Sequence, residues 1–128
     1  MIDPVQEQTR NRVVTARVAE IRGRFLDVLE SRLVELEAAR SDLEEDDGID
    51  HGYRRQLIEA IRFGAHKTTG IAATVGFPEL GRLSQVAELA ADGHDPARAT
   101  VPELNRLLHA VDDMLGEMAL ILIDNDRC

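Results

Sequence analysis

Ile58-Glu59-Ala60-Ile61-Arg62-Phe63-Gly64-Ala65-His66-Lys67-Thr68-Thr69-Gly70-Ile71-Ala72-Ala73-Thr74-Val75-Gly76-Phe77-Pro78-Glu79-Leu80 is the stretch whose reading decides the fold. Ile58, Ile61, Ala65, Thr68, Ala72 and Val75 recur at alternating steps of three and four, the spacing of a packed helical seam. A helix over 51–75 is therefore predicted. Gly76 suits a C-terminal cap, and Pro78 suits the first turn of a further helix.

Towards the N-terminus, Val14 to Leu43 reads as one long amphipathic helix with two apolar stripes. Val18, Ile21, Phe25 and Val28 form one; Leu26, Leu29, Leu33, Leu36 and Leu43 form the other. Two stripes predict contact with more than one neighbour, as in a bundle interior, with Arg22, Glu30, Arg32 and Glu37 on the solvent side. Residues 4–12 leave room for a short extra helix. The acidic run from Glu44 to Asp50 around Gly48 reads as a solvated turn. Its carboxylates also suit a divalent cation, the weaker reading because ordinary loops look the same.

Towards the C-terminus, Leu80, Leu83, Ala87 and Ala90 mark a third helix ending near Asp92-Gly93. After the loop Gly93-His94-Asp95-Pro96, Thr100-Val101-Pro102-Glu103 reads as a capping box opening a fourth helix. The stripe of that helix is Leu104, Leu107, Val111, Met114, Met118 and Ile121. No stretch alternates with period two for long enough to make a sheet. The expected fold is all-α, an antiparallel up-and-down four-helix bundle, forming a single domain over 1–128 with its core at about 18–123.

The 128 residues are 44% hydrophobic and 30% charged but only 3% aromatic, which predicts one globular domain with an aliphatic core. The net charge of −9 repels phosphate backbones, so nucleic acid is not an expected partner. No apolar run approaches the ~20 residues of a membrane span, and Met1-Ile2-Asp3-Pro4 does not open like a secretory signal. No membrane association and a cytoplasmic location are expected. The single Cys128 allows no disulfide within the chain and reads as a bystander.

Most chemical motifs are missing. There is no phosphate-cradling Gly-x-x-x-x-Gly-Lys loop, no Gly-x-Ser-x-Gly elbow and no His-Glu-x-x-His pair. His51, His66, His94 and His109 are too far apart in sequence to preset a metal on one helix, so no metal or cofactor is expected. His66 stands out by its setting. At 100° per residue it emerges at the edge of the buried seam beside Ala65, and Thr69, Gly70 and Ala73 surround it with small side chains. A glycine inside a helix costs about 0.5–1 kcal/mol relative to alanine, a cost at Gly70 that close approach of another surface explains. Lys67 adjoins the histidine and Arg62 lies one turn before it, two cations for a phosphoryl oxygen.

The string from Ala65 to Leu80 closely resembles the signature of histidine phosphotransfer (HPt) domains: a histidine, a glycine four residues on, small residues, then a second glycine, matched here by His66, Gly70, Ala72, Ala73 and Gly76. The resemblance covers about Val18 to Ile123 and implies a four-helix bundle. It implies a stand-alone phosphorelay protein in which His66 is the nucleophile, exchanging a phosphoryl group with aspartates of response-regulator receiver domains. Receivers and a hybrid histidine kinase are the implied partners, with Mg²⁺ on the receiver and a monomeric carrier. HPt domains commonly place a lysine three residues after the histidine, whereas this chain has Thr69. A hydroxyl donates a hydrogen bond but does not neutralise charge, so the expectation is either that Lys67 or Arg62 substitutes or that the phosphohistidine is less stabilised. A polar residue from the next helix also often approaches the histidine. Here Gln85 is favoured over Glu88, because a carboxylate would repel phosphate. Phe63, Ile71, Phe77 and Ala73 are read as docking surface, the first three with core packing as an equally weighted competing reading. The missing lysine motivates an alternative function, a non-catalytic HPt-like module that binds or inhibits a kinase or receiver. A purely structural or dimerising bundle is a third reading.

Overall fold

A computed structural model describes residues 3–127; the expectations attached to Met1, Ile2 and Cys128 lie outside the described residues. Four helices follow one another, α1 (Pro4–Glu45), α2 (His51–Ala72), α3 (Pro78–Asp92) and α4 (Val101–Asp124). Each helix packs on the next, and α4 closes back on α1. Short loops make each neighbour antiparallel, so the bundle is up-and-down.

The helix ends follow from local chemistry. Asp3 caps α1 by accepting from Val5 N at 3.0 Å, with Pro4 in the first turn. Asp50 caps α2 by accepting from Tyr53 N at 3.1 Å, and Thr100 caps α4 by accepting from Glu103 N at 3.3 Å. The acidic turn is a loop that the next helix anchors: Asp46 accepts from Arg54 Nε at 2.7 Å, and both side chains are largely buried. Helix α2 stops at Ala72, three residues earlier than the seam predicts. Residues 73–76 form a turn in which Phe77 N donates to Ala72 O at 2.8 Å and Gly76 adopts φ +98°. Only glycine takes that left-handed value without strain.

The core is the aliphatic one expected. Leu29, Leu43, Ile61, Leu80, Leu107, Val111, Met114 and Met118 are completely or almost completely buried, and the seam Ile58, Ile61, Ala65, Thr68, Ala72 and Val75 is buried throughout. Gly64 lets α1 approach: a Cβ there would lie 2.9 Å from Leu36 Cδ2.

Helix α1 departs from expectation in two ways. No separate helix forms over 4–12, because nothing between Pro4 and Glu45 breaks the hydrogen-bond ladder. The stripe Val18, Ile21, Phe25 and Val28 does not enter the core as a whole either. Phe25 is buried, but Val18, Ile21 and Val28 are 42–47% exposed. The reason is length. Arg32 meets Thr68, and Leu36 meets Gly64, so antiparallel register sets the end of α2 level with residues near 28. Beyond Phe25, which stacks on Phe77, α1 outruns its neighbours, and residues 3–20 are all exposed.

Candidate functional site

His66 lies on α2 with its side chain 64% exposed. The ring emerges beside buried Ala65, at the edge of the seam, as the helical spacing requires. Its Nδ1 lies 2.6 Å from Glu88 Oε1 on α3. A carboxylate only accepts, so Nδ1 carries the hydrogen and donates it. In a neutral ring this leaves the lone pair on Nε2. The Glu88 side chain is only 21% exposed, so it orients the imidazole and sets the tautomer of its neutral form.

This corrects the choice of α3 residue. Gln85 is exposed, and Glu88 is the one that touches His66. The register explains the selection: Gly81 packs against Ala72 and Ala73, so seven residues further along α3 the antiparallel partner is seven residues back on α2, at His66. Gln85 falls level with Thr68 and Thr69. The objection to a carboxylate also falls away, because Glu88 occupies the nitrogen opposite to Nε2.

The cations are placed differently from the sequence reading. Lys67 is adjacent to His66 in sequence, but its ammonium sits over the Phe63 ring, 4.3 Å from the centroid, and the side chain lines the groove between α1 and α2. The imidazole faces α3. Arg62, one turn before His66, is bound by Glu59 at 2.5 and 2.9 Å. That pairing and the fields of Asp92 and Glu88 hold its guanidinium above its ordinary range. Thr69 is half-buried and spends its hydroxyl hydrogen on Ala65 O at 2.9 Å, so towards a phosphoryl group it has lone pairs to offer and no donor.

Of the surface residues, Gly70 and Ala73 are exposed, and a Cβ at Gly70 would meet nothing within 4 Å. Nothing inside the molecule requires glycine there. Phe63 is half exposed. Phe77 is corrected: it is buried, its ring 5.9 Å from that of Phe25 and covered by the Arg22 guanidinium at 4.7 Å. It belongs to the seal between α1 and the α2–α3 turn.

One pairing escapes the sequence reading, that of Thr68 with Arg32. Thr68 is fully buried, donates to Gly64 O at 2.8 Å and accepts from Arg32 at 3.0 Å, so Arg32 is a tie to α2 and not a solvent-side charge. Desolvation in that position lowers its pKa, with Glu35 opposing. The signal for this pair was present only as a hydroxyl on an otherwise apolar seam. Among the described residues no three His, Cys, Asp or Glu side chains gather as metal ligands.

Fold and site together define a class: a helical bundle that displays, on its second helix, an imidazole oriented by a carboxylate. A family model for the Hpt domain matches residues 20–119, and the chain belongs to that family. Comparison with curated proteins and with solved structures returns no match. Membership places the chain in histidine phosphotransfer of two-component signalling, where domains of this kind interact with kinases and receiver domains. No helix among the described residues is long and apolar enough to cross a membrane.

Proposed function

We propose that this chain is a stand-alone phosphorelay protein of the cytoplasm in which His66 takes a phosphoryl group from the phosphoaspartate of one receiver domain and passes it to another. The contact between His66 Nδ1 and Glu88 carries the reading, because in the neutral ring it leaves the lone pair on Nε2 of an exposed side chain, open to an incoming acyl phosphate. In the forward step the Nε2 lone pair forms the N–P bond as the bond from phosphorus to the aspartate oxygen breaks, and the carboxylate leaves with that electron pair. Positive charge appears on the ring as the N–P bond forms. Glu88, already at Nδ1–H, stabilises that charge without moving. The reverse step returns the phosphoryl group and regenerates the same neutral tautomer.

The chain itself supplies a nucleophile and its positioning group; Mg²⁺ and most of the charge neutralisation belong to the receiver. Gly70 and Ala73 offer the level ground that close approach needs, with Phe63 as apolar contact beside them. Radiolabelled phospho-receivers supply the test. Acid-labile, base-stable label appears on the native protein and is absent from His66→Gln. A folded native protein that takes no label from any receiver overturns the relay.

Thr69 favours one second reading, a docking module that binds or inhibits a kinase or receiver without turnover, since the position one turn after His66 holds no cation and its hydroxyl is bonded within the helix. Receiver binding that survives His66→Ala, with no phosphoryl label, supports that module.

A further inference from the structure

The groups that prepare His66 for attack are poorly suited to storing a phosphoryl group on it. Attack by Nε2 from the Nδ1–H tautomer leaves a cationic ring, with phosphorus on Nε2 and the hydrogen still between Nδ1 and Glu88 Oε1, 2.6 Å apart. Loss of that hydrogen to water gives the neutral phosphoimidazole, whose Nδ1 then sets a lone pair against a carboxylate that also only accepts. The neutral ring is repelled there and the cationic ring attracted, so Glu88 favours the protonated phosphohistidine. The two forms differ in leaving group. Cleavage of the N–P bond expels neutral imidazole from the cation but an imidazolide anion from the neutral ring, which makes the protonated form the reactive one.

On the phosphoryl side no cation is placed to compensate. Thr69 spends its hydroxyl hydrogen on Ala65 O at 2.9 Å. The Lys67 ammonium lies over Phe63, 4.3 Å from the ring centroid, and with Arg32 it lines the groove on the α1 side of α2. Arg62 is bound by Glu59 at 2.5 and 2.9 Å and lies in the fields of Asp92 and Glu88 as well. Among the described residues neither His66 nor Glu88 forms any other ion pair.

We infer that the phosphohistidine of this chain is a short-lived, readily discharged donor and not a phosphoryl store, with Glu88 as the residue that sets its lifetime. The inference rests on His66 being the phosphoryl carrier. In discharge an acceptor oxygen, from a receiver aspartate or from water, forms the new bond to phosphorus while the N–P bond breaks and its electron pair returns to Nε2. The hydrogen stays on Nδ1 throughout, so the neutral tautomer that Glu88 holds is regenerated without any proton being supplied. With water as the acceptor, inorganic phosphate leaves carrying the water's hydrogens, which exchange with solvent. A dependence on pH follows. In acid the phosphorylated ring is protonated with or without Glu88, and the carboxylate brings no acceleration. In mild base a ring without the carboxylate gives up its hydrogen, and one beside Glu88 retains it.

The test places the label chemically, by treating the full chain with radiolabelled phosphoramidate, and takes label on His66 as the difference from His66→Gln. At about pH 8.5 the native protein is expected to lose that label at least threefold faster than Glu88→Gln, and at about pH 5 the advantage disappears. Glu88→Ala serves as a second variant with the same expectation, and circular dichroism verifies that each folds. Equal lifetimes at the higher pH, or a slower loss from the native protein, overturn the inference. So does a ratio that is the same at both pH values, because a merely structural effect of the substitution does not follow the protonation of the ring. A folded native protein that accepts no label at His66 overturns it as well. The lifetimes are read without any receiver, so the two readings fail separately: lifetimes that differ as expected, in a protein that exchanges label with no receiver, overturn the relay and leave the role of Glu88 standing.

Discussion

Glu88 holds His66 across the seam between α2 and α3, with Oε1 2.6 Å from Nδ1, so the nitrogen available to a partner is set by a residue 22 positions away in sequence. The ring is exposed and the carboxylate only partly so, which makes the acid the fixed member of the pair and the imidazole the positioned one.

Replacing Glu88 by Gln or Ala should therefore slow phosphotransfer without unfolding the bundle. A charge-assisted hydrogen bond to a solvent-facing ring contributes on the order of 1 kcal/mol, which corresponds to a roughly fivefold loss of rate. Imidazole ¹⁵N shifts provide the independent readout. The native protein should show Nδ1–H dominant, and Glu88→Ala should shift the population towards Nε2–H. An unchanged tautomer ratio in the variant would remove the positioning role.

Thr68→Val should destabilise the fold. Valine matches the shape but removes the bonds to Gly64 O and from Arg32, leaving a half-buried guanidinium short of an acceptor. The expected loss is about 1–2 kcal/mol, read from urea unfolding. Arg32→Met in the Thr68→Val background should cost less than the two single changes added together, because the orphaned donor is gone.

Gly76→Ala should cost about 1 kcal/mol, since φ +98° is strained for any residue with a Cβ. For a chain of this size that lowers Tm by a few degrees. Gly70→Ala provides the contrast. Its site is open, alanine is the better helix former, and stability should stay level or rise. If Gly70 is the ground on which a receiver closes, phosphotransfer to Gly70→Ala should fall even as its Tm holds.

His94, in the α3–α4 loop, gives the fold a pH dependence. Burial lowers its pKa and neighbouring Arg54 lowers it further, while Glu103 and Asp95 oppose. Its Nε2 is buried without a hydrogen-bond partner. The unfolded chain thus binds a proton near pH 6.5 that the folded chain refuses. Stability attributable to His94 is complete above about pH 6.5 and is lost as pH falls towards the lowered folded value. Chemical unfolding at a series of pH values should show the native protein losing stability relative to His94→Gln over that window; parallel curves would contradict it.

The succession of helices was legible because each carried its own signals: the three-four seam through Ile61 and Ala65, the cap at Thr100 and the glycine at position 76. His66 was legible too, since exposure beside a buried seam follows from helical geometry once Ala65 is placed. Lys67 was misplaced for a related reason. Adjacent residues on a helix point 100° apart, and sequence adjacency concealed that the two side chains face different neighbours.

Local residue chemistry, written in the sequence, thus determined the four helices, their aliphatic faces and the histidine at the seam's edge. Tertiary structure alone decided that Glu88 and not Gln85 meets the ring, that Phe77 is sealed beneath Arg22, and that Val18 and Ile21 stay in solvent. Each depends on where one helix ends relative to another. Amphipathic periodicity defines which face of a helix is apolar, but not its axial register or whether a neighbour is long enough to cover it.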